Sequence, residues 1–174
     1  MPSVRRLRAE EWRLYRELRL AALRDSPNAF GSTLAREEAF PDAQWSERLG
    51  KAATSRLDHP LVAEVTGHAV GLAWARIEAD DPGTATLYQV WVQPEARRHG
   101  VGQRLLDTAI AWAREEGAGS MELGVTIAPG SALEFYRRAG FTEVGERTPL
   151  RAGSVFMQQR MRITFHAMPH EPTP

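Results

Sequence analysis

The chain of 174 residues contains no cysteine, which excludes disulfides, thiolate metal centres and a cysteine nucleophile. It has no excess of either charge, since 22 lysines and arginines balance 22 aspartates and glutamates. Without net charge there is no global field to draw nucleic acid or an anionic membrane surface, so neither partner is expected and any basic function is local. No apolar run approaches the ~20 residues of a membrane span. Arg5, Arg6, Arg8, Glu10 and Glu11 interrupt the start, where a secretory leader needs an unbroken apolar stretch. The expectation is a cytoplasmic protein. Five histidines, at 59, 68, 99, 166 and 170, share no paired spacing on one helix, so no metal site is expected. A Gly-Lys-Ser/Thr sequence is also absent, which argues against a nucleotide-phosphate enzyme.

What remains suits one domain. An apolar content of 43% is enough for an ordinary core at this length. The domain is expected over 1–165. Residues 166–174 carry Pro169, Pro172 and Pro174 and read as a disordered tail.

Residues 4–7 form a strand-like run, and 10–25 place Trp12, Tyr15, Leu18 and Ala22 on one helical face. Ser26-Pro27-Asn28 stops that helix. A mixed segment over 30–40 precedes a second helix containing Trp45 and Leu49, with Asp42 as its expected N-cap. Runs 61–65 and 70–77 read as a hairpin around Thr66-Gly67-His68-Ala69, and Asp80-Asp81-Pro82-Gly83 as a turn into a strand over 84–92. A helix over 101–116, a strand over 121–127, a short helix over 131–138 and strands over 141–145 and 154–163 complete the chain. Strand, helix, strand implies a right-handed parallel crossover. The fold class is therefore α+β: one mixed sheet, antiparallel at first with a parallel central pair, flanked by helices.

Two segments carry chemistry. The first is Arg97-Arg98-His99-Gly100-Val101-Gly102-Gln103-Arg104, between the 84–92 strand and the helix containing Leu105, Ala109 and Trp112. The first amides of a helix have no intrahelical partner, and the macrodipole adds roughly half a positive charge there. Glycines at 100 and 102 let backbone N–H groups close on a phosphate, and Arg97, Arg98 and Arg104 surround it with charge. The second segment, Ala132-Leu133-Glu134-Phe135-Tyr136-Arg137-Arg138-Ala139-Gly140-Phe141, is by itself an amphipathic helix with a glycine stop. On helical spacing alone Tyr136 belongs to the core.

Taken together, the order and separation of the two segments resemble the GNAT N-acetyltransferase superfamily over most of the chain, from about Val4 to Met161. Arg97, Gly100 and Gly102 match the family pattern Arg/Gln-x-x-Gly-x-Gly/Ala, and Ala132, Tyr136, Gly140 and Phe141 match Ala-x-x-x-Tyr-x-x-x-Gly-Phe. Ser26-Pro27-Asn28-Ala29-Phe30-Gly31-Ser32-Thr33 resembles a bacterial subgroup. The resemblance implies acetyl transfer from acetyl-coenzyme A to a primary amine of a small molecule or protein, in a ternary complex without a covalent acetyl-enzyme. It further implies that the pyrophosphate lies on the amides from Arg98 to Arg104, with His99, Val101 and Gln103 in that loop. The pantetheine arm would add to the strand edge at Val90 and Val92, provided that strands 84–92 and 121–127 splay apart. Tyr136 is then the proton donor to sulfur.

Two positions depart from the family pattern. Thr86 stands about where some relatives place a general-base glutamate; a threonine hydroxyl cannot serve as base near neutral pH, so Thr86, Tyr88 and Gln89 are candidates for holding a water instead. Pro129 replaces an asparagine that contacts the cofactor in many relatives, with Ser131 as the candidate substitute. The acceptor pocket is expected among Phe30, Glu37, Glu38, Phe40, Trp45 and Trp74, where the acidic pair either attracts a cationic amine or forms a solvated face. Two alternatives stay open: an acetyl-coenzyme A sensor without turnover, and homodimerisation through the last strand or the helices.

Overall fold

The computed structural model describes residues 1–166. In chain order the strands are β1 (Ser3–Arg6), β2 (Asp58–Val65), β3 (His68–Glu78), β4 (Asp81–Val92), β5 (Ser120–Ile127), β6 (Thr142–Pro149) and β7 (Met157–Thr164). The helices are α1 (Trp12–Asp25), α2 (Leu34–Glu38), α3 (Asp42–Thr54), α4 (Val101–Glu115) and α5 (Leu133–Arg138).

Alternation along the strands builds two cores, one on each face of the sheet. Leu61, Ala63, Ala73, Ala75, Ala85 and Leu87 face α4, whose Leu105, Leu106, Ala109 and Trp112 are buried against them. Val62, Leu72, Trp74 and Trp91 face the other way, toward Tyr15, Leu18 and Ala22 of α1 and Trp45 and Leu49 of α3. Tyr15 centres this second core, with ring centroids 5.6 Å from Trp45 and 5.4 Å from Trp74. The apolar faces read from sequence for α1, α3 and α4 are the buried ones.

One seven-stranded sheet runs in the order β1-β2-β3-β4-β5-β7-β6. Its first four strands are antiparallel and β4 and β5 form the parallel pair, as expected. The β2–β3 hairpin closes through Thr66 (φ 48) and Gly67 (φ 80), the two consecutive left-handed residues of a tight primed turn. The chain returns from β6 to place β7 between β5 and β6, an insertion that no local pattern announces.

Several boundaries move. The turn into β4 lies at residues 79–80, because Glu78 pairs with Asp81 while Ile77 pairs with Ala85. Pro82, Gly83 and Thr84 form a bulge, one of the few places in a strand where proline removes no ladder bond. Pro41 caps α3, and Asp42 is its first residue, where a carboxylate still faces the positive end of the macrodipole. The mixed segment over 30–40 contains the short α2, and β6 runs to Pro149. The expected disordered tail lies, apart from His166, outside the described residues; the His166 carbonyl accepts a hydrogen bond from Arg114.

Under α4, the His59 ring stacks on Trp112 with 5.0 Å between centroids and 3° between planes. Burial, aided by repulsion from Arg6, lowers its pKa to about 4 from 6.5. The folded state thus binds this proton less readily than the unfolded chain, so His59 favours folding fully above pH 6.5 and progressively less as pH falls toward 4. Urea midpoints measured across that window should fall with acidification, and His59→Phe should flatten the fall.

Candidate active site

The first helix-type bond of α4 runs from the Arg104 N–H to the Gly100 carbonyl, 3.0 Å. The amides of Val101, Gly102 and Gln103 therefore precede any intrahelical acceptor, and no side chain caps them. The loop before them turns through two left-handed residues, Arg98 (φ 64) and Gly100 (φ 79), which curl the chain around the helix N-terminus. Arg98, His99, Gly100, Gln103 and Arg104 are exposed, whereas the Val101 side chain is buried in the core. Only the backbone of Val101 is offered outward.

Arg97 sits differently from Arg98 and Arg104. Its Nε donates to the Val92 carbonyl at 2.8 Å and its Nη2 to Asp25 Oδ2. Asp25 also accepts from Trp91 Nε1, 2.9 Å. Burial acts against ionisation of Asp25, but the Trp91, Ser26 and Arg97 donors outweigh it and hold the carboxyl below its ordinary range. Arg97 thereby fastens the loop before α4 to the ends of α1 and β4, a role that its place in the sequence motif does not reveal.

Beside this loop the sheet opens. β4 pairs with β5 only where Thr84, Ala85 and Thr86 meet Ser120, Met121 and Glu122. Further along, Trp91 lies opposite Leu72 but Tyr88 opposite Trp74, so β4 spends three steps against two on β3. The extra residue is accommodated near Gln89, which has φ 58. Such a bulge bends and over-twists its strand, and β4 leaves β5, which stays paired with β7 over its full length. The splay expected from sequence is present.

A cleft of about 660 Å³ fills the opening. Thr86, Gln89, Val90, Ser131 and Tyr136 all line it, so five residues separated by up to fifty positions in sequence share one cavity wall. Tyr136 is 7% exposed, packed edge-on against Phe135 and Phe141, and burial alone pushes its phenol above the ordinary range. Gln89 is anchored from behind by the Tyr15 hydroxyl, which donates to Oε1 at 2.8 Å. The Thr126 hydroxyl ties the opposite lip to the Asn28 carbonyl, 2.6 Å.

The sequence model of the acetyltransferase (GNAT) family matches residues 8–141. The chain belongs to this family. It is 35% identical over 89 residues to an uncharacterized N-acetyltransferase of Methanocaldococcus jannaschii, a match covering 48% of this chain and 38% of that protein. The chain thus spans well under half the length of the curated relatives it matches. Among solved structures, spermidine N-acetyltransferase from Vibrio cholerae in complex with CoA and spermine aligns with a TM-score of 0.76 at 18% identity, covering 94% of this chain and 95% of that one. PaiA N-acetyltransferase from Thermoplasma acidophilum in complex with coenzyme A aligns at 0.73 and 18% identity, covering 95% and 99%. At such identities the shared property is the GNAT fold.

On the α1 side of this GNAT domain the expected acidic pair comes apart. Glu37 is 2% exposed and forms no solvated face; the cations it meets are the chain's own arginines. Arg19 Nε reaches it at 3.0 and 3.2 Å and Nη2 at 2.7 Å, with Arg48 Nη1 at 3.6 Å. Glu38 points outward to Arg24. Trp45, with no exposed surface, is core rather than pocket; Phe30 lines the cleft, and Phe40 and Trp74 line a neighbouring hollow. Arg19 belongs to no sequence motif. It stands four residues after Tyr15 and three before Ala22, and a charge on that apolar face was the available signal. Glu37→Ala should leave the Arg19 guanidinium buried and uncompensated and cost about 3–5 kcal/mol in chemical denaturation, whereas the double variant Arg19→Met/Glu37→Leu should lose much less.

Proposed function

We propose that this protein transfers an acetyl group from acetyl-coenzyme A to a primary amine, directly within a ternary complex, with Tyr136 as proton donor to the departing thiolate. The observation that carries this reading is a cleft with a buried tyrosine in its wall, together with an uncapped fifteen-residue helix whose Gly102 lies against Phe135, the neighbour of that tyrosine. The relatives solved with coenzyme A share the fold in which that cleft occurs.

The residues fit such a ligand. Amides of Val101, Gly102 and Gln103 point their dipoles at a pyrophosphate, while Arg98 and Arg104 supply mobile charge. A Cβ added at Gly102 meets Phe135 at 3.7 Å and Val92 at 4.0 Å, ordinary contacts, so the protein itself does not demand glycine there. The strand edge of β4 beyond Thr86, unpaired toward β5, offers backbone groups at Val90 and Val92 to an amide-bearing arm. With the Val92 carbonyl taken by Arg97, its N–H is the group left to polarise the acetyl carbonyl. Ser131 stands on the cleft wall beside Pro129 and supplies a hydroxyl where proline supplies none.

In the reaction the neutral amine nitrogen attacks the thioester carbon, the N–C bond forms and the C–S bond breaks. Tyr136, held protonated at neutral pH by its burial, donates to sulfur; the proton lost by nitrogen returns to the phenolate through water. Thr86 and Gln89, both on the cleft wall, hold that water, since no carboxylate occupies their stretch of β4. Acetyl-coenzyme A supplies the activated acyl group and the leaving thiol.

Tyr136→Phe should lower kcat by about 10²- to 10⁴-fold while acetyl-coenzyme A affinity is retained, read by thiol release and calorimetry. Full activity in that variant would remove Tyr136 from the mechanism. Gly102→Val should weaken acetyl-coenzyme A by about tenfold or more with little change in melting temperature; unchanged affinity would displace the pyrophosphate from this helix end. Cofactor binding without thiol release on any amine would identify a sensor rather than an enzyme.

A further inference from the structure

Behind the β4 bulge lies a second hollow of about 360 Å³, lined by Arg19, Arg36, Arg48 and Arg76. Arg19, Tyr88 and Gln89 line both this hollow and the cleft, so the two adjoin at the bulge. Glu37 is the single carboxylate in the lining, and it is already bonded to Arg19 and faced by Arg48. Arg76 is shared with Asp58 and Glu78. Arg36 makes no ion pair among the described residues and is exposed. Most telling is Arg19 itself: 4% exposed, it has Nε and Nη2 bonded to Glu37 while Nη1 is buried without a hydrogen-bond partner.

Among the described residues Arg6 and Arg16 also have a buried guanidinium nitrogen without a partner, but Arg19 is the one of the three that lines this hollow, and guanidinium groups pair in bidentate fashion with carboxylates and phosphate-type oxyanions. A polycationic amine finds no unpaired carboxylate here. The rest of the lining is three aromatic rings, Phe40, Trp74 and Tyr88, with Ser32 and Gln89, which suits a compact, partly aromatic body better than a polyamine.

We propose that the acetyl acceptor is an amine that also bears an oxyanion, a carboxylate or a phosphonate-type group, and that the arginine-lined hollow holds the anion while the amine enters the cleft past Tyr88 and Gln89. The inference rests on the acetyl-transfer reading. Positive charge in the hollow then does two things: it selects the acceptor, and it disfavours protonation of an amine brought near it, which helps a site without a carboxylate base.

The test has two arms. In the first, thiol release is measured with matched acceptors: an aromatic α-amino acid, its aminophosphonate analogue, its amide, the decarboxylated amine, and spermidine. The anionic members should exceed the neutral ones in kcat/KM by about tenfold or more, and equal or better turnover of the amide or spermidine overturns the proposal. Arg36→Gln/Arg48→Gln should collapse that preference about tenfold; an unchanged ratio also overturns it. These positions are chosen because Arg19 variants would strand Glu37. The second arm needs no turnover. Calorimetry on the full chain with coenzyme A measures binding of the N-acetyl amino acid, the N-acetyl aminophosphonate and the N-acetyl amide. Preference for either anion over the amide supports the hollow and names its oxyanion, and no preference overturns it. Anion binding with no acetylation of any amine leaves the anion site in place and overturns acetyl transfer instead.

Discussion

Three residue pairs hold β4 to β5, and from Leu87 onward the two strands share no ladder. Much else depends on that break. A continuous sheet would have left no cavity between Val90 and Tyr136, and α4 would have presented its free amides to solvent alone. The break has an identifiable cause on each side: β4 is bent by an extra residue near Gln89, and β5 is held straight by full-length pairing with β7. Backbone hydrogen bonding given up across the gap is the opening that an amide-bearing ligand can fill.

Polar contacts secure the break from the α1 side. The Tyr15 hydroxyl holds Gln89 in its left-handed conformation. Asp25 gathers Trp91 and Arg97 at the end of the same strand, so one helix braces both the bulge and the glycine loop before α4. Arg19 and Glu37 bury a charge pair in the wall between. Buried pairs of this kind are weak evidence of stability, because desolvation offsets much of the attraction.

Much of the fold was legible because it rests on local rules. Ser26-Pro27-Asn28 ends α1, Thr66-Gly67 closes a hairpin, and the spacing of Leu105, Ala109 and Trp112 presents one face of α4 to the sheet. Pro82 misled, since a proline that reads as a turn signal also fits a bulge. Within the site, Gly100 and Tyr136 stood out through their motifs, whereas Arg19 and Asp25 did not. The place of Arg19 on an apolar helical face hints at burial, but nothing local says that its partner stands 18 residues away, or that Asp25 meets one 72 residues away.

By itself the amino-acid sequence determined the element types, the two apolar faces of the sheet and the helix end suited to an anion, because periodicity, glycine conformations and unpaired helical amides are properties of short segments. Tertiary structure alone decided that β7 enters between β5 and β6, that Arg97 braces rather than lies free, and that Glu37 is neutralised beside an arginine-lined hollow. Each of these depends on pairing between distant segments, where register and burial, not local preference, set which charges meet and which remain available.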